Sequence, residues 1–310
     1  MKTITLFPAK NESWILDNTL KNMSDFSDHI IVSDQNSTDN SREIYKKYSK
    51  VIVIDNNNSG HNNSVRWQLL DKARELFGSN NLILCIDADE MISKQAVDEM
   101  KNIIAEHEYK PISFSFPWIQ LWGSVYKYRN DTVWKNNNKI IAFFDDGKID
   151  YKRELVINDH TSRTPSCQEN IHLNKYPLLH YQYINLDQSQ TKQNWYKCSE
   201  LISGLEPKRI NHKYSVADND GNITLKDVPK DWIMSPDINI KYNKDEDWRY
   251  REILSWFDKY GIVFFEPLNI WQIDALEKLF IAKTGRKPKP KKFPKILVIL
   301  NDIKNKINVK

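Results

Sequence analysis

The sequence predicts an α/β fold in which a mostly parallel sheet is flanked by helices, and three observations predict it. Four short apolar runs stop at polar or acidic residues. Apolar residues between some of those runs recur near the helical period of 3.6. The fourth run, Leu82-Ile83-Leu84-Cys85-Ile86, delivers two carboxylates, Asp87 and Asp89, to its C-terminal end, where open α/β sheets place their chemistry. Such alternation is the βαβ pattern of a parallel sheet covered by helices.

The first strand, Ile4 to Phe7, runs into Lys10-Asn11-Glu12, and Leu16, Leu20 and Met23 mark one face of the following helix. His29 to Val32 forms the second strand and ends at Asp34. Asn40 is placed to cap the next helix, with Glu43 at the capping-box position. Val51 to Ile54 forms the third strand and ends at Asp55; Val65, Leu69, Ala73 and Leu76 then predict a helix before the fourth strand. No Gly-x-Gly-x-x-Gly follows any strand, so a dinucleotide fold has no support. In extended chain, residues i and i+2 project to one side, which lets Asp87 and Asp89 share a hard cation and the phosphate oxygens it holds. Turn formation or helix capping is the competing role for an acidic pair, and Glu90 is expected to start the next turn.

The order of these motifs resembles the family-2 glycosyltransferases, with their nucleotide-sugar-binding GT-A type, Rossmann-like fold. The resemblance rests on Phe7-Pro8-Ala9-Lys10-Asn11-Glu12, on Ile31-Val32-Ser33-Asp34-Gln35-Asn36-Ser37-Thr38-Asp39, on Arg66-Trp67-Gln68-Leu69-Leu70-Asp71-Lys72-Ala73 and on Asp87-Ala88-Asp89-Glu90. Leu179-His180-Tyr181-Gln182-Tyr183, followed by Lys192 and Trp195-Tyr196, looks like a branch of the family. The resemblance implies a catalytic domain over residues 1–240, divided into a nucleotide-sugar-binding half (1–110) and an acceptor half (111–240). Residues 241–310 then form a helical appendage with a basic tail.

The resemblance also assigns roles. Asp34 would hydrogen-bond the base of the donor nucleotide, with Phe7 and Ala9 lining the same pocket and Glu12 holding the loop or capping the helix. In this sequence Gln35 and Asn36 stand where the family usually has Asp and Gly. Arg66 would bind the donor phosphates, because a guanidinium can take two phosphate oxygens at once. Asp89 would ligate Mn²⁺ or Mg²⁺ directly, Asp87 would reach the ribose or the metal through water, Ala88 would line the site, and His180 would be a further metal ligand or a packed histidine. Inverting transfer needs a base for the acceptor hydroxyl. Related branches place a His-Glu pair where this chain has Asn158-Asp159-His160-Thr161, so Asp159 is the first choice, with His160, Glu169 and Asp146 as rivals.

Composition bounds the rest. A chain of 310 residues with 40% hydrophobic content can bury a full core. Ten Trp are present, and Phe114, Phe116, Trp118, Trp122, Tyr126, Tyr128 and Trp134 either form core or line an acceptor cleft. Cys85, Cys167 and Cys198 show no metal spacing, which fits a reducing compartment. The sequence starts directly in a strand and has no apolar run of the ~20 residues a bilayer span needs, so a cytoplasmic or membrane-surface protein is expected. Lys283 to Lys310 holds ten Lys or Arg and one Asp, a net of +9, which leaves the rest of the chain at −5 against a total of +4. Pro288, Pro290 and Pro294 read as an extended linker. Ile296, Leu300, Ile303 and Ile307 then fall on one face of a basic helix suited to an anionic membrane. The acidic body and the lack of a binding motif argue against nucleic acid.

Two helices are expected between 245 and 282, the first capped by Asp245 and stopped by Gly261, the second opened by Pro267. The expected activity is metal-dependent, inverting transfer of a sugar from a UDP-sugar to a glycan or lipid-linked acceptor. Phosphoryl or nucleotidyl transfer by the same carboxylates, and a non-catalytic scaffold of the same fold, are the rival readings.

Overall fold

The computed structural model describes residues 1–57, 64–131, 134–149, 163–215, 223–238, 240 and 242–291. The chain divides into two units, Met1–Ile184 with Thr224–Ile240, and Asn185–Ile223 with Lys241–Lys310. The helical unit therefore takes in residues 185–223, which sequence reasoning assigned to the acceptor half.

The first unit is built on a sheet whose parallel part has the order β3 (Val51–Asp55), β2 (His29–Asp34), β1 (Thr3–Ala9), β4 (Asn81–Cys85). Beyond β4 the pairing turns antiparallel through β8 (Asn138–Asp145) to β6 (Ile112–Trp122), so the sheet is mixed. Strand alternation explains the two apolar layers. Phe7, Val32, Leu82 and Leu84 face a core with Leu16, Leu20 and Met23 of α1 (Ser13–Ser24) and Val97, Met100 and Ile104 of α4 (Lys94–Glu106). Ile4, Leu6, Ile31, Ile83 and Cys85 face the opposite core, with Val65, Leu69 and Ala73 of α3 (Ser64–Phe77). All five residues of β4 are buried, as a central strand covered on both faces requires.

Phe114 and Phe116 are core residues of β6. Trp122 and Trp134 pack around Arg129, whose guanidinium carbon lies 4.7 and 5.5 Å from their ring centroids. Tyr126 is half exposed. Most of the aromatic cluster is thus packing.

The helix after Asp34, α2 (Ser41–Tyr45), has five residues, and the expected capping box does not form. Asn40 has ψ near 6° and makes no side-chain cap hydrogen bond; Asp39 Oδ1 accepts from the Ser41 N–H at 3.0 Å instead, and Glu43 pairs with Lys46.

Short strands complete the unit. β5 (Glu90–Met91) pairs antiparallel with β10 (Leu178–Tyr183), which runs parallel to β6. β9 (Glu169–His172) runs beside the start of β6, and β7 (Lys127–Arg129) pairs with β11 (Leu225–Asp227).

The second unit contains α5 (Leu186–Ile202), α6 (Pro207–Ser215), α7 (Trp248–Tyr260) and α8 (Asp274–Thr284), packed through Ile210, Ile253, Phe257, Phe265, Leu276 and Phe280. Trp195 and Tyr196 of α5 join this packing. Two expected helix starts are displaced. Asp247 rather than Asp245 caps α7, accepting from the Arg249 N–H at 2.8 Å, because residues 243–247 first make a turn. Helix α8 begins at Asp274, since the residues after Pro267 form turns. Gly261 does end α7, at φ +80°, a backbone state that favours glycine.

The start of the tail is docked rather than an extended linker as far as residue 291. Arg286 pairs with Glu266, Lys289 N–H donates to the same carboxylate at 3.1 Å, and Lys291 N–H donates to Pro267 O at 2.9 Å. Asn211 Nδ2 holds both the Lys291 and the Pro267 carbonyl. The face of Ile296, Leu300, Ile303 and Ile307 lies outside the described residues. Among the described residues no helix is long and apolar enough to cross a membrane.

Candidate active site

The end of β4, the first turn of α3, β6 and β10 meet at Asp87 to Glu90. Asp87 leaves the C-terminal end of β4 with its side chain about one third exposed. Arg66, on the first turn of α3, donates from Nη1 to the Ile86 carbonyl at 3.0 Å and pairs through Nη2 with Asp87 Oδ1. Arg163 takes the other oxygen, with Nη2 2.5 Å from Asp87 Oδ2, and its Nη1 lies 2.6 Å from Glu90 Oε2. Glu90 is fully buried in β5, where it also accepts from the Asp87 N–H at 2.9 Å and from Trp118 Nε1 at 2.8 Å. This corrects the expectation that Glu90 merely starts a turn. A carboxylate with no exposure must be paired and fully hydrogen-bonded, and Glu90 is the hub that ties the Asp-x-Asp loop to β6 and Arg163.

Electrostatics follow from this packing. Burial pushes the Asp87 carboxyl up, but Arg163 and Arg66 outweigh it and hold the group down at about 2. Burial likewise disfavours the Arg163 charge, yet Asp87 and Glu90 raise its pKa above the usual arginine value. Lys139, with Nζ 4.5 Å from the Trp118 ring centroid, is lowered by burial and then by Arg163. Because the folded-state value of Asp87 lies below its ordinary 3.8, its stabilisation is complete above pH about 4 and disappears as the pH falls towards 2. The melting-temperature gap between the native chain and Asp87→Asn is therefore expected to narrow as the pH is lowered from about 5 to 2.5. A gap that stays constant would remove the ion-pair account.

Asp89 points elsewhere. Its Oδ2 lies 3.3 Å from Nε2 of His180, and both residues are buried. β10 places His180 in register with Glu90 on one side and Gln120 on the other. Gln120 Oε1 accepts from His180 Nδ1 at 2.6 Å, and Trp118 stacks on the imidazole with ring centroids 5.0 Å apart. In the tautomer with its proton on Nδ1, the ring directs the Nε2 lone pair at a carboxylate oxygen. Two electron-pair donors facing each other fit a divalent cation, and the bond from the other ring nitrogen is the usual means of orienting a histidine ligand. Asp87, engaged by two arginines, is not free for direct ligation. Among the described residues no cluster of three or more His, Cys, Asp or Glu ligands forms, so a cation here would need donor oxygens or water to complete its shell.

The nucleotide end of the site centres on Asp34, which is fully buried. Its Oδ1 accepts from the Ser37 N–H at 3.3 Å, and its Oδ2 is 2.6 Å from Arg42 Nη2, which is also 2.6 Å from Asp55 Oδ1. Asn36 adopts φ +55°, the left-handed state that Asn tolerates better than other non-glycine residues, so the turn survives without the family's glycine. An open cavity of about 410 Å³ is lined by Asn36, Ser37, Thr38, Arg42, Asp55 and Asn57. Asn11, also at φ +55°, clamps the first loop to the second: Oδ1 accepts from the Thr38 N–H at 2.6 Å and its N–H donates to Ser37 Oγ at 2.9 Å. Phe7 and Ala88 bury their side chains, and the Ala9 carbonyl accepts from the Gln35 N–H. Glu12 makes no side-chain cap hydrogen bond; its Oε2 accepts from Trp14 Nε1 of α1 at 2.6 Å.

Asp159 and His160 lie outside the described residues. Two rival bases are corrected by the topology. Glu169 pairs with Ile112 at the start of β6, and Asp145, the neighbour of Asp146, pairs with Asn81 at the start of β4. Both lie at the sheet edge opposite Asp87, about 20 Å away along a strand of that length. The residues that sequence reasoning missed are Arg42, Gln120 and Arg163, while Trp118 was read only as core or acceptor-cleft lining. Arg42 is eight residues from Asp34, but the others come from strands and a segment far along the chain, with no local pattern to mark them.

Residues 5–159 match the family model described as Glycosyl transferase family 2. An uncharacterized glycosyltransferase of Rickettsia conorii is 24% identical over 194 residues, 61% of this chain and 65% of that protein. Residues 1–349 of S. aureus TarS align at 16% identity over 91% of this chain and 87% of that one, with a TM-score of 0.43. A longer TarS chain is 42% covered, at 16% identity over 68% of this chain, with a TM-score of 0.40. The 1–349 fragment has also been solved with UDP-GlcNAc. The chain thus spans less than two thirds of the Rickettsia protein and of the longer TarS chain. With half of its 310 residues matched in a single stretch that runs from β1 past the Asp-x-Asp loop, the chain belongs to glycosyl transferase family 2.

Proposed function

We propose that this protein is an inverting glycosyltransferase that moves a sugar from a nucleotide diphosphate, a UDP-sugar, to a hydroxyl of a glycan or lipid-linked acceptor, working in the cytoplasm at a membrane surface. The observation that carries the reading is the pairing of Asp89 with an oriented His180 beside an Asp87 gripped by two arginines, in a member of a sugar-transferring family.

Arg66 and Arg163 present guanidinium groups where a diphosphate would arrive, and phosphate oxygens can replace the Asp87 oxygens as bidentate partners. Asp89 and His180 would hold Mn²⁺ or Mg²⁺, which supplies positive charge to the leaving diphosphate. Asp34 and Arg42 set the polar wall of the base pocket. The base for the acceptor proton is assigned to Asp159, with His160 as its rival. Basic residues from Lys283 to Lys310 support the placement at an anionic membrane surface.

A thermal-shift series with UDP, CDP, GDP and UDP-GlcNAc, each with and without Mn²⁺, tests the donor assignment. Ligand at about 100 times its Kd stabilises the folded state by about 2.7 kcal/mol, so a clear rise in melting temperature is expected with UDP and Mn²⁺ together. Equal shifts without metal would remove the cation from the reading, and no shift with any nucleotide would remove the donor site.

A further inference from the structure

Between α7 and α8 the helical unit exposes an apolar tip. Gly261 ends α7, and the next turn, Ile262–Phe265, buries Ile262 and Phe265 while leaving Val263 53% and Phe264 43% exposed; Tyr260, just before it, is 40% exposed. The Tyr260 and Phe264 rings lie side by side, with centroids 5.8 Å apart. Three large apolar side chains within five residues are not the scattered exposure that needs no explanation.

Cations flank this turn in the chain and in its contacts. Lys259 Nζ sits 5.1 Å from the Tyr260 ring centroid, and Lys283 reaches Asp258 at 3.2 Å. Residues 286–291 then run back along Glu266 and Pro267, on the other side of the turn, through the Arg286–Glu266 pair and the Lys289 and Lys291 N–H bonds. The neighbourhood holds Lys259, Lys283, Arg286, Lys287, Lys289 and Lys291 against Asp258 and Glu266. An exposed apolar and aromatic turn joined to a segment with excess positive charge has the chemistry of an interfacial anchor: the rings would enter the headgroup boundary and the lysines meet anionic lipid.

We propose that the Tyr260–Phe264 tip and the docked basic segment Lys283 to Lys291 form a surface that binds anionic membranes. This rests on the membrane-surface placement above but moves its apolar contact from the tail helix to a built feature of the helical unit. The docking bonds hold residues 286–291 to Glu266 and Pro267, the residues that follow the tip in the chain, which a free linker would not do.

Vesicle co-sedimentation of the full chain, with phosphatidylcholine alone and with phosphatidylglycerol added, tests the proposal. The native chain is expected to bind only the anionic vesicles. The double variant Val263→Asp, Phe264→Asp should bind them at least about tenfold more weakly, since two half-exposed apolar side chains are replaced by carboxylates that an anionic surface repels, with its donor-induced thermal shift unchanged. A chain ending at Lys291 should retain a tip-dependent part of the binding. If the tip variant binds like the native chain while the truncation abolishes binding, the tip is overturned and the tail helix carries the membrane reading. If native binding to anionic vesicles is absent, both fall. If the tip substitutions lower the melting temperature of the full chain but not of the truncated one, the tip is a dock for residues 292–310 and the proposal is likewise overturned.

Discussion

Asp89→Ala is expected to lower sugar transfer by about 10²- to 10³-fold, the range reached when one preorganised electrostatic contact to developing charge is lost. The fold should stay intact, because the Asp89 backbone carbonyl still accepts from the Tyr181 N–H at 2.9 Å and the side chain carries none of the core. The informative companion is Gln120→Ala. Gln120 lies on β6, 60 residues from His180 in the chain, and its amide oxygen fixes the His180 ring. Loss of such an orienting bond typically weakens metal affinity by about 10- to 100-fold, so the Mn²⁺ concentration for half-maximal activity should rise by that factor while saturating Mn²⁺ restores the rate. Normal Mn²⁺ dependence in both variants would show that His180 is only a packed side chain.

Arg163→Ala is expected to be the most destabilising of the site substitutions. Glu90 is fully buried and Asp87 partly so, and Arg163 neutralises both. Removing one partner of a buried ion pair typically costs about 3–5 kcal/mol, because the remaining charge is left without compensation. Urea denaturation should therefore show a loss of that size. Pairing the change with Glu90→Gln should recover part of it, since the amide removes the buried charge and its one oxygen still accepts from either the Asp87 N–H or Trp118 Nε1. If the double variant is no more stable than Arg163→Ala alone, Glu90 and Arg163 are not energetically coupled. The same substitution reports on donor binding. If Arg163 hands one of its bonds from Asp87 to a diphosphate, Arg163→Lys should keep the fold and lose affinity, as an ammonium cannot reproduce the planar two-point contact.

How much of this was legible in the sequence depends on how local each signal is. The strands ending at Asp34, Asp55 and Asp87, and the helices after them, could be read directly because period 2 and period 3.6 are written within a few residues. The Asp-x-Asp loop and Arg66 were legible for the same reason. The caps were less so: Asn40 and Asp245 have the right chemistry one or two residues from where the backbone uses it, and only the turn geometry selects Asp39 and Asp247. The division at 240 coincides with a break between the two units, but the earlier segment 185–223 of the helical unit was not legible, because apolar helical periods in 186–215 look the same whether they cover a sheet or join another bundle.

By itself, then, the sequence determined the parallel α/β core, the family, and which carboxylates stand at the strand ends, all of which follow from short-range patterning. Tertiary structure alone decided what those carboxylates do. β10 aligns His180 between Glu90 and Gln120, strand pairing across 60 residues turns that histidine towards Asp89, and Arg163 closes over Asp87 from 76 residues away. Such long-range registers are fixed by the packing of whole strands, and no window of the sequence contains them.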